Sequence, residues 1–190
     1  MNSALLVVDV QNDFCPGGAL PAPQGDKVVP VINELMDKFT LVVASRDWHP
    51  EITKHFDKWP VHCVRETPGA GFPDDLHKEK INQIFEKGTG TKDDGYSAFE
   101  ATNLNLKNYL REKKIDALYI AGLTAEYCVK SSVLDAIKHK FKTFVIKYGV
   151  EGIRENEDDF ENSFAEMEKA GAIIIDNWKS IPKGKNKQHI

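Results

Sequence analysis

Asp9 closes the apolar run Leu5-Leu6-Val7-Val8, where a carboxylate is costly to bury without a partner. It is either a cap for the loop that follows or a general base at the edge of a sheet. Cys128 lies in Ala121-Gly-Leu-Thr-Ala-Glu-Tyr-Cys-Val129, where a strand ends near Ala121, Gly122 turns the chain and a helix starts at Ala125 or Glu126. A thiol in the first helical turn should have a lowered pKa, and the free N–H groups there can hold an oxyanion. The alternative is a buried structural cysteine. Lys87 follows the strand-like Gln83-Ile84-Phe85-Glu86 and precedes Gly88. It is a solvated loop lysine or, turned into a cleft, a cation that favours both a Cys128 thiolate and an Asp9 carboxylate.

A second group of residues has the chemistry of a metal site. Asp47 and His49 stand two apart, and His55 and His62 follow in the same segment. Carboxylate and imidazole suit Zn, Fe or Mn, and a ligand set without cysteine points to an open catalytic site. Incidental surface histidines are the competing reading. Phe14, Trp59 and Tyr96 either wall a flat apolar ring or anchor loops as ordinary hydrophobes.

These residues need a scaffold that brings distant segments to one edge. Short, nearly continuous apolar runs at 4–8, 41–44, 81–85, 117–121, 143–146 and 172–175 read as strands buried on both faces. Amphipathic stretches at 28–39, 104–113, 126–139 and 158–169 read as helices, the last ending at Gly171 as a C-cap. The alternation predicts an α/β domain, doubly wound on a mostly parallel six-stranded sheet flanked by helices. Two long loops, 14–25 and 46–75, interrupt it. A loop of ~30 residues inside a compact domain is usually functional. Both leave C-terminal strand ends, where ligands of α/β sheets bind.

One domain over 1–180 and a basic tail over 181–190 account for the 190 residues. The formal charge of −4 and the lack of a basic stripe in the domain argue against nucleic acid as a partner. No apolar run is long enough to span a membrane, and the first residues read as a buried strand rather than a leader. Three scattered cysteines, Cys15, Cys63 and Cys128, make no disulfide framework and suit a reducing cytoplasm. Self-association is left open.

Five motifs in order, Asp9-Val-Gln-Asn-Asp-Phe14, Ser45-Arg-Asp-Trp-His49, Trp59-Pro-Val-His-Cys63, Glu86-Lys-Gly88 and Gly122-Leu-Thr-Ala-Glu-Tyr-Cys128, resemble the isochorismatase-like cysteine hydrolases, and within them the nicotinamidases. The resemblance runs from about residue 4 to residue 176. It implies a catalytic triad of Cys128, Asp9 and Lys87, and one divalent metal ion (Zn, Fe or Mn) held by Asp47, His49 and His62. His55 matches a further ligand of some members. It implies an oxyanion hole from the backbone N–H groups of Thr124 and Cys128, helped by a cis Leu123–Thr124 peptide. Phe14, Trp59, Tyr96 and Leu123 would contact the substrate. The implied activity is hydrolysis of nicotinamide to nicotinate and ammonia through a thioester, a step of NAD salvage. Another small amide, carbamoyl or ureido, is the alternative substrate; a non-catalytic ligand-binding module is the alternative of another class. Glu126 stands where Asp is more usual, Thr124 where Ala is common, and Lys147-Tyr148-Gly149 departs from the usual Asp-Ala, with only local packing expected to change.

Overall fold

The computed structural model describes residues 1–181. In chain order the elements are β1 (Ser3–Val8), α1 (Val28–Met36), β2 (Val42–Asp47), β3 (Gln83–Lys87), α2 (Leu106–Glu112), β4 (Ala117–Leu123), α3 (Lys130–Lys138), β5 (Lys142–Glu151), α4 (Asp159–Ala170) and β6 (Ile173–Ile175). The six strands form one sheet in the order β3-β2-β1-β4-β5-β6, and every pairing is parallel. Chain direction across the sheet reverses between β1 and β4, so a crevice opens beyond their C-terminal ends.

Side-chain alternation divides the core into two layers. Leu5 and Val7 of β1 pack with Ile32 and Leu35 of α1. Ala4, Leu6 and Val8 pack on the opposite side with Leu110 of α2, Val133 of α3, and Phe164 and Met167 of α4. Burial on both faces explains why the strands read as continuous apolar runs. Asn105 caps α2 by accepting from the N–H of Asn108 at 2.9 Å, and Gly171, at φ +112°, ends α4 as expected.

Three boundaries differ from the sequence reading, and all three shape the site. β3 starts and ends two residues later than its apolar run, so Lys87 is the last residue of a strand rather than a loop residue. The stretch 126–139 is not one helix: a π-helical turn, Ala125–Val129, precedes α3. β5 continues past its apolar run to Glu151, with Ile120 opposite Val145 but Gly122 opposite Val150. Lys147-Tyr148-Gly149 is therefore where the ladder changes register, and it brings Glu151 beside Leu123. Ile181, assigned with the tail, is buried and packs in the α1-side layer. Residues 182–190, the rest of the tail, lie outside the described residues.

Gly122 explains how β1 and β4 approach so closely at their C-terminal ends. A Cβ there would stand 2.0 Å from the Val8 carbonyl oxygen, and its φ of +132° disfavours any side chain. Gly122→Ala should cost at least ~3 kcal/mol, because backbone rather than a flexible side chain would have to move. Denaturant unfolding of the purified variant checks this.

Candidate active site

Four strand ends meet at the crevice. Asp9 directly follows β1, in the left-handed region at φ +48°. Asp47 ends β2, Lys87 ends β3, and the turn after β4 carries Cys128. Asp9 and Lys87 are fully buried, while Asp47 and Cys128 are nearly so. The register pairs Asp47 with Lys87 directly. The Lys87 ammonium donates to Asp47 Oδ1 at 2.5 Å and to the Gly95 carbonyl at 2.7 Å, and lies 3.4 Å from Cys128 Sγ. It also forms an ion pair with Asp9 Oδ2 at 2.8 Å. Ser45 Oγ donates to Asp9 Oδ1 at 2.7 Å. An oxygen of Asp9, one of Asp47 and Cys128 Sγ all lie within 4.8 Å of one another.

The electrostatics follow from burial around one cation. Burial pulls the Lys87 ammonium down, but Asp47 and Asp9 more than offset it and hold it well above the ordinary lysine value. Burial likewise pushes Asp47 up, but Lys87 and His49 together outweigh it and hold this carboxyl well below the usual range. For Asp9 burial wins over Lys87, and its pKa is raised. Burial also raises the Cys128 thiol well above its ordinary value, despite Lys87 beside it. This corrects the expectation of a thiol lowered by a helix start: the turn is π-helical, and desolvation is the larger effect. The Thr124 carbonyl accepts from the N–H groups of Tyr127 (3.2 Å) and Val129 (3.1 Å), skipping Cys128 between them. The Leu123–Thr124 peptide is cis.

Beside this group lie three imidazoles whose ligand nitrogens stand within 4.8 Å of one another. Each ring has Nδ1 on an oxygen: His49 on the Gly88 carbonyl (2.9 Å), His55 on Asp93 Oδ1 (2.9 Å) and His62 on the Pro60 carbonyl (2.7 Å). A carbonyl or carboxylate accepts only from N–H, so Nε2 is left as a lone-pair donor on every ring. Burial lowers His62 to about 4 and, with the neighbouring His49, lowers His55, so both rings are neutral as ligands must be. His49 Nε2 is buried without a hydrogen-bond partner. Asp47 Oδ2 stands 3.6 Å from it and 3.9 Å from His62 Nε2. Ligands of an ion held at ~2.1 Å lie about 3.4 Å apart in a tetrahedron, so the residues fit a divalent ion.

The pocket between the two groups has walls of Phe14, Trp59 and Tyr96, as the sequence reading expects, together with Asp47, His55, His62, Thr124 and Cys128. Trp59 donates from Nε1 to the Tyr96 hydroxyl at 3.0 Å. Leu123 is the exception. Alternation on β4 turns its side chain to the α1-side core, fully buried and away from the pocket lining. Leu20, Gly95, Tyr127 and Ile153 also line the pocket and carry no signal in the sequence that separates them from ordinary loop residues. Glu126, which replaces the more usual Asp, accepts from the N–H groups of Ile153 (3.1 Å) and Arg154 (3.0 Å) and so braces that wall. Gln11 is a further positioning residue, present in the first motif but given no role from the sequence. It accepts from the Asp47 N–H and donates to the Asp47 carbonyl, each at 2.8 Å.

A doubly wound α/β enzyme with a thiol at its switch point is the class that this fold and edge define. The chain belongs to the isochorismatase family, whose isochorismatase domain matches residues 3–177. It is 38% identical to a nicotinamidase of Escherichia coli over 205 residues, covering 93% of this chain and 96% of the relative. Among solved structures, it resembles a pyrazinamidase of Pyrococcus horikoshii in complex with zinc, at 43% identity and a TM-score of 0.83, covering 92% of this chain and 99% of that one. A yeast nicotinamidase bound to the inhibitor nicotinaldehyde is 28% identical with a TM-score of 0.83, over 92% and 100% of the two chains.

Lys87→Met should leave two buried carboxylates without their cation and cost ~3–5 kcal/mol near neutral pH. Its pH dependence should also shift. With Lys87 present, the raised Asp9 and the lowered Asp47 act in opposite directions, Asp47 adding stability that is lost only as pH falls below its unfolded pKa. Without it, the folded-state pKa values of Asp9 and Asp47 lie above their unfolded values, so the native state binds more protons and stability falls as pH rises. Unfolding midpoints compared at mildly acidic and neutral pH test this; a variant least stable in acid would contradict it.

Proposed function

We propose that this chain is a nicotinamidase, a metal-assisted cysteine amidohydrolase that converts nicotinamide to nicotinate and ammonia. One observation carries the reading. A single pocket is lined by the Cys128 thiol, with an oxygen of the buried Asp9 within 4.8 Å of the sulfur, and by Asp47, His55 and His62, the two imidazoles belonging with His49 to a cluster whose ring nitrogens are spaced for a divalent ion. The kinship with nicotinamidases supports it. The pocket's aromatic walls suit a flat ring bearing a carboxamide.

The raised thiol needs a base at the moment of attack, and the raised Asp9 is a stronger base than an ordinary carboxylate. Asp9 takes the Sγ proton, and the sulfur pair forms a bond to the carboxamide carbon while the C=O pair moves to oxygen. The N–H groups of Thr124 and Cys128 hold that oxyanion; one such donor is worth ~3–4 kcal/mol in comparable sites. Lys87 steadies the charge as it passes from carboxylate to sulfur. The C–N bond then breaks, Asp9 gives its proton to the leaving ammonia, and a thioester remains on Cys128. Water surrenders a proton to Asp9 and attacks the thioester, the C–S bond breaks, and sulfur recovers the proton from Asp9. Asp47, His49 and His62, with His55 as a fourth ligand, would hold a divalent ion (Zn, Fe or Mn) that supplies Lewis acidity toward the ring nitrogen or a bound water. Its place in NAD salvage in the cytoplasm is part of the same reading, which the unpaired Cys15, Cys63 and Cys128 support.

Purified protein should release ammonia from nicotinamide, lose that activity to a chelator and regain it with Zn, Mn or Fe. Cys128→Ala should be at least ~10³-fold slower while staying folded. Substantial turnover by that variant would remove Cys128 as nucleophile. Metal-replete protein that ignores nicotinamide but hydrolyses a carbamoyl or ureido amide would move the substrate and keep the chemistry.

A further inference from the structure

Two of the three clustered histidines are aimed by main-chain carbonyls, Gly88 for His49 and Pro60 for His62, while His55 is aimed by a carboxylate, Asp93. The difference matters because His55 sits on a short 3₁₀ segment, Lys54–Asp57, within a loop. The segment holding Asp93 docks along it: the Lys54 N–H donates to the Thr91 carbonyl at 3.0 Å, and Thr53 Oγ1 to the Lys92 carbonyl at 3.2 Å. Asp93 Oδ1 lies 2.9 Å from His55 Nδ1 and also accepts from the Tyr96 hydroxyl at 2.7 Å. Its other oxygen pairs with Lys58, whose side chain is two-thirds exposed. The Asp93 side chain is 18% exposed.

We propose that Asp93 is a positioning residue for metal binding, acting through His55; this rests on the divalent-ion reading given above. The carboxylate takes the Nδ1–H of His55, which fixes the tautomer with Nε2 bare and turns that atom toward His49 and His62. An anionic acceptor also makes the imidazole a more basic ligand than a carbonyl would. Since the same oxygen holds the Tyr96 hydroxyl, and Tyr96 accepts from Trp59, the residue that orients the ligand also ties it to the aromatic wall of the pocket. Nothing in the sequence separates Asp93 from its neighbour Asp94 in a polar loop.

The test is zinc affinity of the metal-stripped full chain, by competition with a chromophoric chelator, which needs no turnover. Asp93→Ala should bind zinc ~10–100-fold more weakly, and Asp93→Asn, which keeps an oxygen acceptor for Nδ1–H, should recover part of the loss. Lys58→Met touches the same carboxylate without touching His55 and should stay within about twofold of the parent. In a His55→Ala background, adding Asp93→Ala should change affinity by no more than about twofold, because its route to the metal has been removed. Equal affinities for parent and Asp93→Ala would overturn the proposal alone, as would a full further loss in the His55→Ala background. A parent that binds no zinc would overturn both this and the metal part of the proposed function. If Asp93→Ala does not fold, Asp93→Asn decides, and parental affinity with Lys58→Met unchanged would then count against the role.

Discussion

A lysine ammonium with no exposed surface is the constraint on which the site depends. Lys87 can be charged there only because two carboxylates and a carbonyl surround it, and an uncompensated ammonium would be far too costly. That requirement dictates the order of the sheet edge. From the end of β3 the side chain reaches past β2 to β1 and to the turn after β4, so Asp47, Asp9 and Cys128 must end at matching heights. The glycine-mediated contact of β1 with β4 and the direct pairing of Asp47 with Lys87 achieve this. Asp47 is used on both sides: Oδ1 serves the lysine, and Oδ2 faces the imidazoles. The charge balance of the thiol site and the imidazole cluster therefore share one carboxylate.

Burial acts in the same direction on the thiol and on Asp9, and this matters for the proposed chemistry. A thiol kept protonated is protected from adventitious reaction, and a carboxylate raised by the same desolvation is better matched to take its proton. The proton can then pass between Sγ and Asp9 without a net change in the charge around Lys87.

Together with one isolated parallel bridge, His49 with Val64, side-chain hydrogen bonds hold the two long loops. Gln11 clamps the main chain of Asp47 and also donates to the Ala70 carbonyl at 2.9 Å. Asp13 accepts from the N–H of Cys63 at 2.7 Å and of Ala19 at 3.2 Å, joining one loop to the other. Gly88 lets its own carbonyl meet His49 Nδ1, for a Cβ there would stand 2.4 Å from the imidazole. Side-chain amides, carboxylates and one bare glycine replace the ladder, which is how loop residues can present ligands in fixed geometry.

The α/β alternation, the six strands and the chemical groups that follow the strand ends were legible in the sequence because they depend on local order: apolar runs of strand length, and motifs of fixed spacing after strand ends. The placement of Lys87 as a strand's last residue was not, since its apolar run ends at Phe85 and only pairing with β2 carries the strand two residues further. Nor was the π-turn at Cys128, the register change at Lys147-Tyr148-Gly149, or the turning of Leu123 into the core. Each follows from what a neighbouring strand or helix already occupies. By itself, then, the sequence determined which groups are available and roughly where along the fold they fall. Only the tertiary structure decided their state: a thiol raised rather than lowered, an aspartate made basic, an imidazole aimed by Asp93. Desolvation and hydrogen-bond partners come from residues distant in the chain, and no local pattern encodes them.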